Sequence, residues 1–103
     1  KLDFTYIDDI VQGIISAMKN NYDCEVFNLG NNETVNVTEM IKIIEDKLDL
    51  KAKVKLKPMQ KGDVIKTYAD ITKSKRMLDY KPNTKLKNGM EEFINWFCKY
   101  YNV

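Results

Sequence analysis

The residues best suited to chemistry lie in the short stretch Lys61-Gly62-Asp63, within the segment 58–70 (PMQKGDVIKTYAD). A glycine lets the backbone approach a ligand closely, and an ionised aspartate can accept hydrogen bonds from two neighbouring hydroxyls of a sugar. Gly-Asp pairs are equally common in solvated turns that bind nothing. These residues alone favour an ordinary turn, with the ligand site as the alternative.

The other conspicuous carboxylates have simpler explanations. Asp8 and Asp9 are adjacent, as paired acid–base groups can be, but they stand at the start of a helical pattern, where negative charge is favourable. Asp70 suits a helix cap better than a ligand contact. The chain has no histidine, which excludes histidine-dependent catalysis and most zinc sites. We therefore expect no metal site in this chain and no acid–base catalysis by histidine.

Four helices are predicted from apolar residues that recur at helical spacing. Gly13, inside the first helix, indicates close packing against a neighbour. Thr38 is the expected N-cap of the second helix, and Asp70 or Thr72 that of the third. The first predicted helix runs from Ile7 to just before Asn20, and the second from its cap at Thr38 to Leu48. The third is short and ends near Leu78, and the last carries apolar residues from Leu86 to Tyr100 or Tyr101.

Two strands are predicted between the helices, which makes the expected fold class α/β. EVFNLG (25–30) has the pattern of a short buried strand that ends at a turn. KAKVKLK (51–57) alternates apolar residues with lysines and predicts a half-buried strand with a solvated lysine face. A nucleic-acid binder working through these lysines remains an alternative, and its binding would fall steeply with salt.

Composition describes one small globular domain of 103 residues, 44% hydrophobic and 31% charged. The net charge of +2 comes from dispersed lysines and a single arginine, Arg76, so we expect no nucleic-acid partner. No apolar run approaches the length of a membrane span. Cys24 and Cys98 form no C-x-x-C pair and predict reduced, partly buried thiols in a cytoplasmic protein. Because the chain begins with Lys1, we expect it to be part of a longer protein.

Four segments, taken in order, resemble the C-terminal part of NAD-dependent nucleotide-sugar epimerases and dehydratases, the extended short-chain dehydrogenases/reductases. They are DFTYIDDIVQGI (3–14), VFNLGNNETVNV (26–37), PMQKGDVIKTYADITKSKRMLDYKP (58–82) and LKNGMEEFINWF (86–97). The M-Q-x-G-D-V and T-Y-A-D patterns are most similar to UDP-glucuronate 4-epimerases. The resemblance implies that residues 1–30 end the Rossmann, nucleotide-binding half and that residues 31–103 form most of the small substrate-binding domain.

The resemblance also implies a UDP-sugar partner and a role for four side chains. The counterpart of Asp63 in this family binds the ribose hydroxyls of UDP, and Gln60 stands where a residue faces the diphosphate and ribose. Thr67 stands near the sugar, and Phe4 aligns with an aromatic that lines the nucleotide pocket. The chain departs from the family at Leu2, where relatives usually carry an arginine that contacts the diphosphate.

The family's Gly-rich NAD-binding turn and its catalytic Tyr-x-x-x-Lys pair do not occur in this sequence. The resemblance therefore implies that NAD and the catalytic residues belong to another part of the protein and that this chain alone is inactive. The implied reaction is reversible inversion at C4 of the sugar. The alternatives are the tail of a 4,6-dehydratase, decarboxylase or reductase of the same superfamily, or a stand-alone small binding module. Helix faces meant for missing structure would also drive self-association.

Overall fold

The computed structural model describes residues 1–103, which form four helices joined by long irregular segments. Helix α1 packs against α3, and α2 packs against α4. Between the elements the chain has no ladder of paired strands, and the only β-bridge joins Leu2 to Val35. The helices are α1 (Ile7–Lys19), α2 (Val37–Leu48), α3 (Thr72–Leu78) and α4 (Leu86–Tyr101).

The two predicted strands are wrong for this chain: residues 25–30 and 51–57 have no regular secondary structure. A strand needs a neighbour to complete its hydrogen bonds, and the chain supplies none for either segment. Two carbonyls in 25–30 bond to side chains instead, because Ser74 Oγ donates to Asn28 O and Tyr80 Oη donates to Gly30 O. Residues 51–57 are exposed throughout.

The helices lie close to their predicted bounds, but the expected caps differ. Helix α2 begins one residue before Thr38, because the carbonyl of Asn36 already accepts the amides of Glu39 and Met40. Asp8 and Asp9 lie in the first turn of α1 rather than at its cap. Asp9 is only 3% exposed, and its Oδ2 accepts the backbone amide of Thr84 at 3.1 Å, so it also ties α1 to the segment before α4.

The N-cap of α3 is Ile71 rather than the predicted Asp70 or Thr72, but Asp70 bonds to the first residue of the helix. Its Oδ1 accepts the Thr72 amide at 3.0 Å and the Thr72 hydroxyl at 2.7 Å. These two bonds hold the pKa of the Asp70 carboxyl below its usual value, the side-chain bond from Thr72 being the larger cause. Asp70 is therefore engaged in structure at the beginning of the helix.

The core is small and centred on Tyr80. Ile71, Leu78 and Tyr80 are buried together, with Phe27 and Leu29 packed against them. Gly13 lies against this cluster: a Cβ there would be 2.8 Å from Leu29 Cδ1 and 3.1 Å from Tyr80 Cδ1. The close packing predicted at that glycine is confirmed.

The chain exposes much more surface than a compact protein of its size. Its accessible area is 8451 Å², against about 6,000 Å² for a folded monomer of this mass. Its radius of gyration is 16.5 Å, against about 13 Å for a compact chain. Much of the excess is apolar and lies on two helices, at Ile7, Val11, Ile14, Ile15 and Met18 of α1 and at Phe93, Trp96, Phe97, Tyr100 and Tyr101 of α4.

Both cysteines are free; Cys98 is half-buried, whereas Cys24 is exposed, against the expectation that both would be partly buried. None of the four helices combines the length and apolar character needed to cross a bilayer.

We expect Tyr80→Phe to lower the free energy of unfolding by about 1–3 kcal/mol at pH 7, because it leaves the buried carbonyl of Gly30 without a donor. Tyr22→Phe is the matched control: its hydroxyl also donates to a backbone carbonyl, at Met77, but at an exposed position where water can replace it. Urea unfolding of the three proteins measures the difference. Equal losses in both variants would contradict a special role for the buried bond.

The same hydroxyl predicts a pH dependence. Burial, and secondarily the charges of Asp9 and Asp3, raise the pKa of Tyr80 above 10.0. The folded state therefore favours the neutral phenol, and this stabilisation is complete below the pKa of the unfolded state and is lost as the pH rises towards the folded-state pKa. Wild type should lose more stability between pH 9 and 11 than Tyr80→Phe, in unfolding titrations at each pH. Parallel losses would contradict the assignment.

The uncovered helix faces predict self-association of the isolated chain, since contiguous exposed apolar surface drives association in water. Sedimentation velocity should show an average mass that rises with protein concentration. A monomer across a hundredfold range of concentration would contradict this prediction.

Candidate functional site

The segment 58–70, which carries the candidate site, contains a tight turn formed by residues 60–63. The amide of Asp63 donates to the carbonyl of Gln60 at 3.2 Å, and Gly62 has φ +88°. Side chains other than glycine rarely adopt that conformation. A Cβ at Gly62 would have no neighbour within 4 Å. The glycine is thus required by the turn itself, and the space beside it is open.

The turn presents two polar side chains to solvent. Gln60 and Asp63 are both exposed, and neither side chain makes a hydrogen bond or ion pair within the chain. The Asp63 carboxylate therefore has all its acceptor positions available for a ligand. The structure brings these two predicted site residues together.

Thr67 lies at the base of the same loop and is half-buried. Its amide donates to the carbonyl of Lys1 at 3.0 Å, and its Oγ1 accepts the amide of Asp3 at 2.9 Å. It lines a cleft of about 370 Å³ whose other walls are residues 3, 5, 28–30, 68 and 69. Its hydroxyl already has one protein partner, so its role in the structure includes holding the loop.

Phe4 lies apart from the other predicted residues. It lines a separate, mainly apolar cleft of about 290 Å³ between the N-terminal segment and α4, together with Tyr6, Leu86 and Met90. Thr67 is not among the residues of that cleft, and Phe4 is not among those of the polar one. The chain therefore does not assemble all four predicted residues into one pocket.

Leu2 contributes to the structure through its backbone and carries no charge. Its amide and carbonyl both pair with Val35, each at 2.9 Å. The side chain is half-buried and apolar, so it cannot supply the fork of hydrogen bonds that an arginine would give to a diphosphate.

Asp3 is the residue that the sequence analysis missed. Its Oδ1 accepts the amide of Asn31 at 3.0 Å, and its Oδ2 accepts the amides of Asn32 and Ala69 at 3.2 and 3.1 Å. Successive backbone amides that converge in this way form a favourable site for an anion. No local pattern signals the role, because the donors lie 28, 29 and 66 residues away in sequence.

A close approach of the backbone completes this junction. A Cβ at Gly30 would lie 2.4 Å from the Cβ of Ala69 and 3.2 Å from Asp3 Oδ2. Any side chain at Gly30 would push Ala69 away from the carboxylate. Gly30 therefore permits the close approach of Ala69, and the atoms that approach are protein atoms.

Comparison with known proteins places this arrangement in a family. Residues 1–93 match the family model described as GDP-mannose 4,6 dehydratase. The chain is 50% identical over 97 residues to an uncharacterised protein of Methanocaldococcus jannaschii, covering 94% of this chain and 30% of that protein. It is 40% identical over 114 residues to UDP-glucuronate 4-epimerase 4 of Arabidopsis thaliana, covering 97% and 26% respectively.

A solved structure agrees with these relatives. The UDP-glucuronic acid 4-epimerase of Bacillus cereus, in complex with UDP-glucuronic acid and NAD, superposes with a TM-score of 0.81 at 30% identity, over 92% of this chain and 32% of that one. The chain thus spans about a quarter to a third of the proteins it matches. It belongs to the GDP-mannose 4,6 dehydratase family, as a C-terminal segment of an extended short-chain dehydrogenase/reductase.

Proposed function

We propose that this chain is the sugar-nucleotide-binding segment of a cytoplasmic NAD-dependent nucleotide-sugar 4-epimerase of the UDP-glucuronate type. The observation that carries the proposal is the turn at 60–63, which presents the unpaired carboxylate of Asp63 on a glycine-dependent bend. An ionised carboxylate can accept both hydroxyls of a ribose. The relatives named as UDP-glucuronate 4-epimerases support the choice of sugar nucleotide.

In this proposal the site residues have distinct roles. Asp63 binds the ribose hydroxyls, Gln60 faces the diphosphate and ribose from the same turn, and Thr67 approaches the sugar from the base of the loop. Phe4 contributes an apolar wall to the nucleotide pocket, which requires residues outside this chain to join its cleft to the polar one. Leu2 cannot provide a cation for the diphosphate, so its contribution to diphosphate binding is weaker than that of the arginine relatives usually carry there.

The domain division at residue 30 is part of the same proposal. Residues 1–30 would complete the nucleotide-binding half, which accounts for the uncovered apolar face of α1 and for the unpaired segment 25–30. Residues 31–103 would form most of the substrate-binding domain, in which α2 packs on α4. Asp3 and Tyr80 would then hold the two parts together.

NAD enters the proposal as the cofactor of the complete protein, and the residues of this chain do not fit a site for it. A dinucleotide site needs glycines in a turn between a strand and a helix, where the backbone can cradle a pyrophosphate. Here Gly13 and Gly89 lie within helices, Gly30 packs against Ala69, and Gly62 lies in an open turn. The part played by this chain is to bind and orient the sugar nucleotide.

The second candidate is a sugar-nucleotide 4,6-dehydratase, which is favoured by the printed description of the matching family. Product analysis separates the two reactions. Incubation of the intact NAD-bound protein with UDP-glucuronate should give a product epimeric at C4 and of unchanged mass. A 4,6-dehydratase removes the hydroxyl at C6, which glucuronate lacks, so the second arm uses GDP-mannose, the sugar nucleotide in the family's description. A GDP-mannose product lighter by one water molecule, with UDP-glucuronate unchanged, would support the dehydratase.

The binding role predicts a specific loss in Asp63→Ala. In the intact protein we expect the dissociation constant for UDP to rise roughly 10- to 100-fold, because one or two hydrogen bonds to a charged acceptor are lost. Gln60→Ala should cause a smaller rise, since its amide is neutral. Isothermal titration calorimetry measures both.

Asp46→Ala is the matched control, because it removes another exposed aspartate, on α2, and should leave UDP affinity unchanged. The assignment fails if Asp63→Ala binds UDP as tightly as the control does.

A further inference from the structure

The loop that carries Gln60 and Asp63 has almost no contact with the rest of the chain. Residues 51–66 are all exposed. The backbone of segment 58–66 makes two hydrogen bonds. One is the bond within the turn at Asp63, and in the other the carbonyl of Ile65 accepts from the nitrogen of Lys1 at 3.0 Å. The loop is attached to the fold at its two ends: the Ala52 amide donates to Glu45 Oε2 at 2.7 Å, and residues 67–69 hold the end nearer the turn at 60–63.

That point of attachment is held from both sides by one residue. Asp3 donates its amide to Thr67 Oγ1 at 2.9 Å and accepts the amide of Ala69 on Oδ2 at 3.1 Å. The same carboxylate accepts the amides of Asn31 and Asn32. The base of the loop is thus fixed to the turn at residues 30–32 through a single side chain.

We propose that Asp3 is a positioning residue for sugar-nucleotide binding: its carboxylate holds the amide of Ala69, its backbone amide holds Thr67 Oγ1, and together these bonds aim the Gln60–Asp63 turn at the ligand. The inference rests on the proposed function, because it takes this turn to be the UDP-binding element. Asp3 itself contacts no ligand in this account. Its effect on binding passes through the side chain of Thr67 and the backbone amide of Ala69.

The chemistry of the junction requires a carboxylate. Three backbone amides donate to its two oxygens, and an ionised carboxyl group accepts at both. An asparagine in the same place would replace one carboxylate oxygen with an NH₂ group, which donates and cannot accept. At least one of the three backbone amides would then lose its acceptor. A glutamate is longer by one methylene, and the tight packing of Gly30 against Ala69 leaves no room for the displacement this would cause.

The decisive variant is Asp3→Asn in the intact, NAD-bound protein. We expect its dissociation constant for UDP to rise roughly tenfold, the equivalent of one hydrogen bond donated by a ribose hydroxyl to Asp63, while NAD affinity stays unchanged. A purely structural residue would not separate the two ligands. Unchanged UDP affinity in a folded variant, or an equal loss of UDP and NAD affinity, would overturn the proposal.

A second pair of variants covers the case in which Asp3→Asn does not fold. Thr67→Val removes the acceptor for the Asp3 amide, whereas Thr67→Ser keeps it. Without any ligand present, amide hydrogen exchange across residues 61–67 should be faster in Thr67→Val than in Thr67→Ser. Equal exchange in the two variants would overturn the proposal, because it would show that the bond between the Asp3 amide and Thr67 Oγ1 does not hold the loop when no ligand is bound.

The proposed function and the positioning role of Asp3 can be tested separately. If the intact wild-type protein does not bind UDP, the proposed function fails, and the hydrogen-exchange comparison still decides whether Asp3 and Thr67 hold the loop. If wild type binds UDP and Asp63→Ala weakens it but Asp3→Asn does not, the proposed function stands and the role of Asp3 is wrong.

Discussion

The carboxylate of Asp3 joins parts of the chain that no sheet holds together. Three irregular segments meet at this side chain: its own, the turn at 30–32, and residues 67–69. Because these segments lack a strand ladder, side-chain-to-backbone bonds align them, together with the Leu2–Val35 bridge and the bond from the Thr67 amide to the Lys1 carbonyl. The Tyr80 hydroxyl adds a second such bond at Gly30, one residue before the turn. The position of the candidate loop depends on this small set of long-range contacts.

The exposed apolar surface of the chain and its unpaired, strand-like segments are related features. Segments with strand-like sequence stay unpaired, and the apolar faces of α1 and α4 remain exposed, which agrees with the proposed role of this chain as one part of a larger enzyme. The excess of roughly 2,400 Å² over a compact monomer exceeds what one partner buries in a standard protein interface. A surface of that size is comparable to the boundary between parts of one protein.

Sequence reasoning succeeded where the determining contacts are local. The span of α1 followed from its apolar spacing, and the turn at Gly62 from the conformational freedom of glycine. It failed where a partner is distant: the alternation in 51–57 is strand-like, but a strand forms only beside another. For the same reason Asp3 escaped notice, since its donor on Ala69 lies 66 residues away. The separation of Phe4 from Thr67 into different clefts is likewise a property of the assembled chain.

The central claim is that the turn at residues 60–63 binds the nucleotide, and a crystal structure of the intact protein with NAD and UDP-glucuronate tests it most directly. If the turn binds the nucleotide, the Asp63 carboxylate lies about 2.5–3.0 Å from both ribose hydroxyls, and Asp3 is still bonded to the amide of Ala69. A ribose held by other residues, with the turn at 60–63 directed into solvent, would contradict it.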